Sequence, residues 1–191
     1  MLDIKKVSKA CGSKFLEFNT ATYDLDGKDA TWDYCSRPKK PGSESKPDVV
    51  TMACKTPRGK YAIVKQPRVP MGGKMVYSFP AGLVEGGTVK GSAFKELEEE
   101  TGYGVKKLVL PSSSKLTKSP GLTDETEVLV ECKLGKKGTP RPEKTEKISV
   151  MLMSPKEVIA LGNRLAKNAS QDEYISSGLW YYMKGRASRK I

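Results

Sequence analysis

The chain of 191 residues carries 34 Lys and Arg against 22 Asp and Glu, a formal net charge of +12, and it has no histidine. This composition excludes His-based catalytic triads, imidazole general bases and His metal ligands, and leaves acid–base chemistry to carboxylates and lysines. No apolar run reaches the roughly 18 residues of a membrane span and the N-terminus lacks the apolar segment of a signal peptide, so we expect a cytoplasmic or nuclear protein with no membrane partner.

The first 45 residues are predicted to form a separate small β layer. Alternation of apolar and polar residues over 15–23 and 30–34 predicts two strands, and Asp26-Gly27 between them marks a hairpin turn. Residues 38–47 are rich in Pro, Gly and Ser and predict a loop. We therefore expect a β-hairpin subdomain over residues 1–45 and the main domain over residues 46–191.

The main domain is predicted to mix strands and helices. Strands are predicted over residues 49–54, 60–66, 75–79, 105–110, 127–132 and 147–152. Helices are predicted over residues 92–100, 155–166 and 171–183, the second with Ser154 as N-cap and Pro155 in its first position. This order predicts an α+β fold, in which a mixed β-sheet lies between α-helices.

The first of these helices carries three carboxylates on one face, because Glu96, Glu99 and Glu100 are spaced i, i+3, i+4. Carboxylates at this spacing lie about 5.5 Å apart and repel by about 3 kcal/mol per pair at an effective dielectric constant near 20. They also lie near the helix C-terminus, where the macrodipole disfavours anions. A hard cation with oxygen ligands, Mg²⁺ or Mn²⁺, would turn the repulsion into attraction. The alternative is a solvated acidic face.

The stretch around this helix resembles the Nudix box, Gly-x5-Glu-x7-Arg-Glu-U-x-Glu-Glu-x-Gly-U, in which U is a bulky apolar residue. Residues 95–103, Lys-Glu-Leu-Glu-Glu-Glu-Thr-Gly-Tyr, match its second half, with Lys95 in place of the arginine. The first half departs from the pattern: from Gly82 to Gly102 the chain is one residue shorter, and Gly87 stands where the early glutamate is expected. Lysine offers a point charge where arginine offers a planar fork, so we expect a working enzyme with slowed or altered activity.

Further motifs resemble the ADP-sugar (ADP-ribose) pyrophosphatase branch of the Nudix hydrolases. They are Val-Lys-Gln-Pro-Arg-Val-Pro-Met-Gly-Gly at 64–73, Phe-Pro-Ala-Gly-Leu at 79–83, the hairpin at 27–32 with Arg37, and Ser-Pro-Gly-Leu-Thr-Asp-Glu at 119–125. The resemblance implies the Nudix fold with a small N-terminal β subdomain. It also implies a Mg²⁺-dependent pyrophosphohydrolase, in which water attacks phosphorus and ADP-ribose or a related ADP-sugar is cleaved to AMP and a sugar phosphate.

The same resemblance implies which residues hold the metal and activate water. The metal ligands would be one main-chain carbonyl and three helix carboxylates, those of Ala81, Glu96, Glu99 and Glu100. Glu99 is also a candidate catalytic carboxylate. Glu146 would order the attacking water, and Glu143 and Glu125 are its rivals for that role.

Three further residues are implied to bind the substrate. Trp32 would stack on the adenine, unless it is a core residue of the hairpin. Arg68 would clamp a phosphate and Arg37 would hold the base or the ribose through planar charge-assisted hydrogen bonds, with a plain surface cation as the alternative for each.

The resemblance also implies a homodimer, in which the N-terminal subdomain crosses to the partner and completes its adenine site. An isolated hairpin is marginal in water, so residues 1–45 must pack on something. The alternative is that the hairpin folds back on its own core.

Charge and cysteines bear on other functions. The positive surplus favours anionic partners, but the lysines are dispersed along the sequence, so nucleic acid is a partner that we do not favour. A weakly active or non-catalytic binder of nucleotide or RNA, which could act on capped or triphosphate RNA ends, is the alternative function. The cysteines at 11, 35, 54 and 132 are far apart without a CxxC pair and indicate neither a zinc site nor a disulfide framework.

Overall fold

The computed structural model describes residues 2–38, 45–84, 87–111, 115–168 and 172–188. These residues form two β-sheets and three α-helices, which confirms the predicted α+β class. None of the described helices is long and apolar enough to cross a membrane.

The N-terminal sheet has three antiparallel strands in the order β1-β2-β3. Their bounds are Ile4–Gly12 for β1, Glu17–Leu25 for β2 and Lys28–Ser36 for β3. The hairpin of β2 and β3 was predicted, and its turn residues Asp26 and Gly27 have φ angles of 55° and 81°, the left-handed values that an Asp-Gly turn accommodates. Strand β1 was not predicted, because its polar sequence alternates little and all nine of its residues are exposed.

The larger sheet contains nine strands. They are β4 Val49–Lys55, β5 Tyr61–Arg68, β6 Lys74–Ser78, β7 Ala81–Leu83, β8 Tyr103–Pro111, β9 Leu116–Thr117, β10 Thr126–Lys137, β11 Ser149–Met153 and β12 Glu173–Ile175. The main order is β12-β6-β5-β4-β10-β8, and β11, β7 and β9 pair with β5, β4 and β10. The sheet is mixed because β10 runs parallel to β4 and β12 runs parallel to β6.

Three helices cover the two faces of this sheet: α1 Val89–Thr101, α2 Pro155–Ala166 and α3 Ser177–Ser188. Helix α1 buries Leu97 against a core that contains Met52 and Val130. Helices α2 and α3 bury Val158 and Met183 on the other face. The predicted arrangement of a mixed sheet between helices is therefore confirmed.

The predicted helix over residues 171–183 was wrong at its start. Gln171 lies outside the described residues, Glu173–Ile175 forms β12, and α3 begins only at Ser177. β12 pairs with β6, and the carboxylate of Glu173 accepts hydrogen bonds from Lys65 and Tyr77. These partners lie 108 and 96 residues away in sequence, so no local pattern could reveal them.

The expectation about cysteines was also wrong. Cys54 and Cys132 form a disulfide with a Cα–Cα distance of 4.4 Å. They are directly paired neighbours on the parallel strands β4 and β10 and are 78 residues apart in sequence. Pairing at that separation depends on the sheet topology, which spacing along the chain does not show.

The contact between α2 and α3 provides a test of the packing. A Cβ added at Gly162 would lie 2.2 Å from Cζ3 of Trp180, so we expect Gly162→Ala to lower the free energy of unfolding by about 1–3 kcal/mol through overpacking. Gly185→Ala in α3 is the matched control, because no atom lies within 4 Å of an added Cβ there, and it should raise stability by about 1 kcal/mol through helix propensity. Urea unfolding followed by circular dichroism measures both. Equal effects of the two substitutions would contradict this packing.

Candidate functional site

Helix α1 is held at both ends by local interactions. Thr88 caps its N-terminus by accepting a hydrogen bond from the Gly91 amide at 3.1 Å. Gly102 ends it with a φ angle of 73°, and its amide donates to the Glu98 carbonyl at 2.8 Å. Because Leu97 is fully buried against the sheet, the rotation of the helix is fixed and the predicted acidic face has a defined position.

The carboxylate of Glu100 is buried beneath strand β7. Glu100 is only 3% exposed, and its Oε2 accepts a hydrogen bond from the Ala81 amide at 3.2 Å. Ala81 is in turn fixed by its pairing with Thr51 on β4. The sheet thus brings two of the predicted metal-site residues, Ala81 and Glu100, into direct contact.

Glu96 packs closely on the backbone of Gly82. A Cβ added at Gly82 would lie 2.0 Å from Cδ of Glu96, a distance that no real Cβ tolerates. A larger residue here would displace the Glu96 side chain, so glycine lets that side chain lie against β7. The side chains of Glu96 and Glu100 therefore lie against two neighbouring residues of β7, Gly82 and Ala81.

A loop over residues 138–146 is tied to the C-terminus of α1. The amides of Gly138 and Arg141 donate to the carbonyls of Gly102 and Glu99 at 2.6 and 2.7 Å. The Glu99 carbonyl is one of the four that a helix leaves without an internal partner at its C-terminus. The Gly102 carbonyl belongs to the residue that directly follows the helix. Both bonds hold the loop over the acidic end of α1.

The end of this loop carries a further carboxylate, that of Glu146, which acts on Glu96 and Glu100. Residues 143–146 form a turn in which the Glu146 amide donates to the Glu143 carbonyl at 2.9 Å, and the Glu143 amide donates to the Glu146 carboxylate at 3.3 Å. The negative charge of Glu146 acts on both Glu100 and Glu96. Glu143 acts on Glu96 as well. We call the group Glu96, Glu100 and Glu146 the carboxylate cluster.

Burial and mutual repulsion disfavour ionisation in this cluster. Burial, reinforced by the charge of Glu146, raises the pKa of Glu100 to about 8, although the Ala81 hydrogen bond and the charge of Arg68 act in the opposite direction. Burial also raises the pKa of Glu96, against the opposing charge of Lys95. The protein surroundings therefore do not compensate the negative charge that the cluster would carry if it were fully ionised.

The donor set of the cluster fits a hard divalent cation. It offers carboxylate oxygens only, which suit Mg²⁺ or Mn²⁺ rather than a softer metal. Of the residues that the structure describes, Ala81 alone donates a hydrogen bond to the nearly inaccessible Glu100 carboxylate, which leaves most of its acceptor capacity for another ligand. Among the described residues, no three acidic or cysteine side chains converge to metal-binding distances in this side-chain arrangement. The residues thus fit the ion chemically, without a formed coordination sphere.

Glu99 lies at the edge of the site. Its side chain is 40% exposed, and its carboxylate lies 3.8 Å from the ammonium group of Lys95. Its charge contributes to the raised pKa of Glu96. Lys95 stands in place of the arginine of the Nudix box pattern. Its ammonium group forms one long ion pair, with Glu99, instead of binding several of the glutamates.

The predicted substrate residues divide into two groups. Arg68 is close enough to the cluster for its charge to act on Glu100. Trp32 and Arg37, by contrast, contact the loop over residues 119–125: the Trp32 indole donates to the Gly121 carbonyl at 3.3 Å, and Arg37 forms an ion pair with Glu125. That ion pair occupies Glu125, which was a rival of Glu146 for the role of ordering water.

The loop attachments, the role of Gly82 and the ion pair of Arg37 were not anticipated from the sequence. The loop attachments join residues about forty positions apart in sequence. They are main-chain hydrogen bonds, which any residue except proline can donate, so they leave no sequence pattern. Only the glycine of the Phe-Pro-Ala-Gly motif carried a signal, since glycine is the residue that permits close approach to a backbone.

Comparison with known proteins identifies similar sequences and structures. The model of the NUDIX domain matches residues 46–177. A putative nudix hydrolase 2 of Caenorhabditis elegans is 39% identical over 54% of this chain and 47% of its own length. The ADP-sugar pyrophosphatase of Mus musculus is 37% identical over 59% of this chain and 52% of its own length. The ADP-ribose pyrophosphatase of Bacillus subtilis (strain 168) is 41% identical over 41% of this chain and 42% of its own length.

These matches cover only part of the relatives. The chain spans about half the length of the curated relatives that it matches. A crystal structure of an ADP compounds hydrolase superimposes with a TM-score of 0.69 over 98% of this chain and 97% of that one, at 17% identity. At that identity the superposition supports the fold.

The raised pKa of Glu100 predicts how stability depends on pH in the metal-free protein. The folded state keeps a proton that the unfolded chain releases above its ordinary pKa of 4.5, so stability is fully present below that pH and is lost as pH rises through about 8. In EDTA, Glu100→Gln should flatten this decline, whereas the exposed Glu98→Gln should leave it unchanged. Urea unfolding at several pH values measures both. Parallel curves for the wild type and Glu100→Gln would contradict the burial argument.

Proposed function

Because the chain belongs to the NUDIX family, we propose that it is a pyrophosphohydrolase that uses Mg²⁺ or Mn²⁺ and cleaves ADP-ribose or a related ADP-sugar to AMP and a sugar phosphate. The observation that carries this proposal is the buried, uncompensated carboxylate of Glu100 against Ala81, with Glu96 and Glu146 beside it. The names of the mouse and Bacillus subtilis relatives support the substrate class.

The residues of the cluster divide the chemistry between them. Glu96, Glu99, Glu100 and the Ala81 carbonyl would hold the divalent ion, which when bound neutralises charge on the phosphate oxygens. Arg68 orients a phosphate through its planar guanidinium. Glu146, carried by loop 138–146, accepts the proton of the attacking water.

The bond changes balance in one hydrolysis step. The water oxygen forms a bond to one phosphorus of the diphosphate, and the bridging P–O bond breaks with its electron pair on the leaving phosphate. Glu146 accepts the proton released by the water. The products are two phosphate monoesters, AMP and the sugar phosphate.

We further propose a homodimer, for which the exposed apolar side chains on either side of the buried Ala21 in the N-terminal sheet are the supporting observation. Val7, Ala21 and Trp32 are neighbours across the three strands. Val7 and Trp32 are 51% and 52% exposed, and Ile4 in the same strand as Val7 is 52% exposed. A second copy related by a two-fold axis would cover these exposed side chains and would bring Trp32 to the adenine site of the partner.

Turnover in carboxylate variants tests the hydrolase proposal. Glu96→Gln and Glu100→Gln should each lower kcat for ADP-ribose with Mg²⁺ by at least about a hundredfold, since each removes a charge that would hold the ion. Glu98→Gln is the matched control, because Glu98 is exposed on the same helix. Chromatography of AMP measures the rate. Near wild-type rates in the first two variants would reject the proposal and favour the alternative, a non-catalytic binder of nucleotide or RNA.

Mixing of inactive protomers tests the shared site. Trp32→Ala should raise KM for ADP-ribose by removing about 1–3 kcal/mol of base stacking. Mixed with Glu100→Gln protomers at low substrate concentration, it should regain part of the activity, because one site of each heterodimer has both wild-type residues. Light scattering and a tagged partner verify dimers and subunit exchange. No recovery after verified exchange would reject the shared site, and an unchanged KM with lower thermal stability would show that Trp32 is structural.

A further inference from the structure

The fold brings together lysines that are dispersed in the sequence. Lys133 on β10 is the direct neighbour of Lys55 on β4 and of Lys107 on β8. The three ammonium groups therefore stem from adjacent strands about 5 Å apart. We call this row the lysine ladder.

The lysine ladder lies on the face of the sheet opposite the carboxylate cluster. Cys54, Cys132 and Leu108 pack in the core beneath α1, and because side chains alternate along a strand, the lysines next to them point to the other face. Along β4 the ladder is also displaced from the site: Thr51 pairs with Ala81, and Lys55 is four residues further on, about 13 Å away.

No acidic residue lies among the segments that form this end of the sheet. Residues 54–61, 103–111 and 132–137 contain eight Lys and Arg and no Asp or Glu. Of these cations, Lys60 pairs with Glu157 at 3.0 Å. In the part of the chain that the structure describes, no ion pair involves Lys55, Lys107 or Lys133. The nearest acid on the same face of β10, Glu131, is already paired with Arg186 at 2.6 Å.

A shallow cleft lies at the same end of the sheet, and its lining includes Val105 and Leu134, which pack on the core of the α1 face. The cleft has a volume of about 530 Å³ and is also lined by Pro57, Lys106 and Lys136 together with the backbone of Gly104 and Gly135. The cleft therefore adds two more cations and accessible main chain at the same end of the sheet.

Like charges directly opposite each other on neighbouring strands destabilise a sheet. Positions that break such a rule without a compensating contact within the protein are often functional. We propose that the lysine ladder binds the phosphate backbone of single-stranded RNA without reading its bases, on a surface separate from the hydrolytic site. A membrane surface is less suitable, because insertion needs a cluster of apolar side chains, and among the described side chains on this face of β8 only Val109 is large, apolar and exposed, at 44%.

Binding of a labelled RNA of about twenty nucleotides in EDTA, measured by fluorescence anisotropy, tests this proposal. The triple variant Lys55→Gln, Lys107→Gln and Lys133→Gln should bind at least about tenfold more weakly. The slope of log K against log salt concentration should fall by about 2, since each phosphate contact on a single strand contributes about 0.7. The triple Lys→Arg variant should bind like the wild type, and saturating ADP-ribose should not displace the RNA.

The matched control removes three exposed lysines elsewhere, in Lys28→Gln, Lys156→Gln and Lys167→Gln. If this control loses as much affinity as the ladder variant, net charge alone drives binding and the proposal is overturned. It is also overturned if the wild type binds vesicles containing anionic lipid but does not bind RNA. ADP-ribose hydrolysis and thermal unfolding of the ladder variant, both expected to stay at wild-type values, separate this outcome from a failure of the proposed hydrolase activity or of folding.

Discussion

The central physical constraint in this structure is the burial of one carboxylate, that of Glu100, against the amide of Ala81. To bury it, the chain must hold a helix, a three-residue strand and a loop together at one place. The Glu100 carboxylate is 3% exposed and is repelled by Glu146 and Glu96. With its pKa raised to about 8, this group keeps its proton at neutral pH unless a cation displaces it, which is the physical reason to regard this place as the functional centre.

The scaffold around this contact is built to resist the repulsion. Leu97 anchors α1 in the core, pairing of β7 with β4 holds Ala81, and the amides of Gly138 and Arg141 attach the loop that carries Glu146. Each attachment uses main-chain hydrogen bonds or apolar packing, so none depends on the charges themselves. The carboxylate cluster and the lysine ladder are thus separate features of the same β-sheet.

How far the sequence predicts this structure depends on the range of the interactions. The glutamate face of α1, its Gly102 end and the hairpin at Asp26-Gly27 were predictable, because each follows from residues within one or two turns of chain. Strand β12, the disulfide of Cys54 and the loop attachments were not, because their partners lie tens of residues away. Strand β1 was missed for another reason: it is exposed throughout and lacks the apolar alternation that burial imposes. Among the site residues, Glu96, Glu100 and Glu146 are brought together, whereas Arg37 instead pairs with Glu125.

If the carboxylate cluster binds a divalent cation, binding must release the proton that Glu100 holds in the metal-free protein. Titration of the metal-free protein with Mn²⁺ by calorimetry at pH 7, in two buffers of different ionisation enthalpy, gives the number of protons released per ion. With the pKa of Glu100 raised to about 8, we expect release of nearly one proton per ion, and Glu100→Gln should abolish both that release and most of the affinity. Binding without proton release and with unchanged affinity in Glu100→Gln would contradict a cation site in the carboxylate cluster.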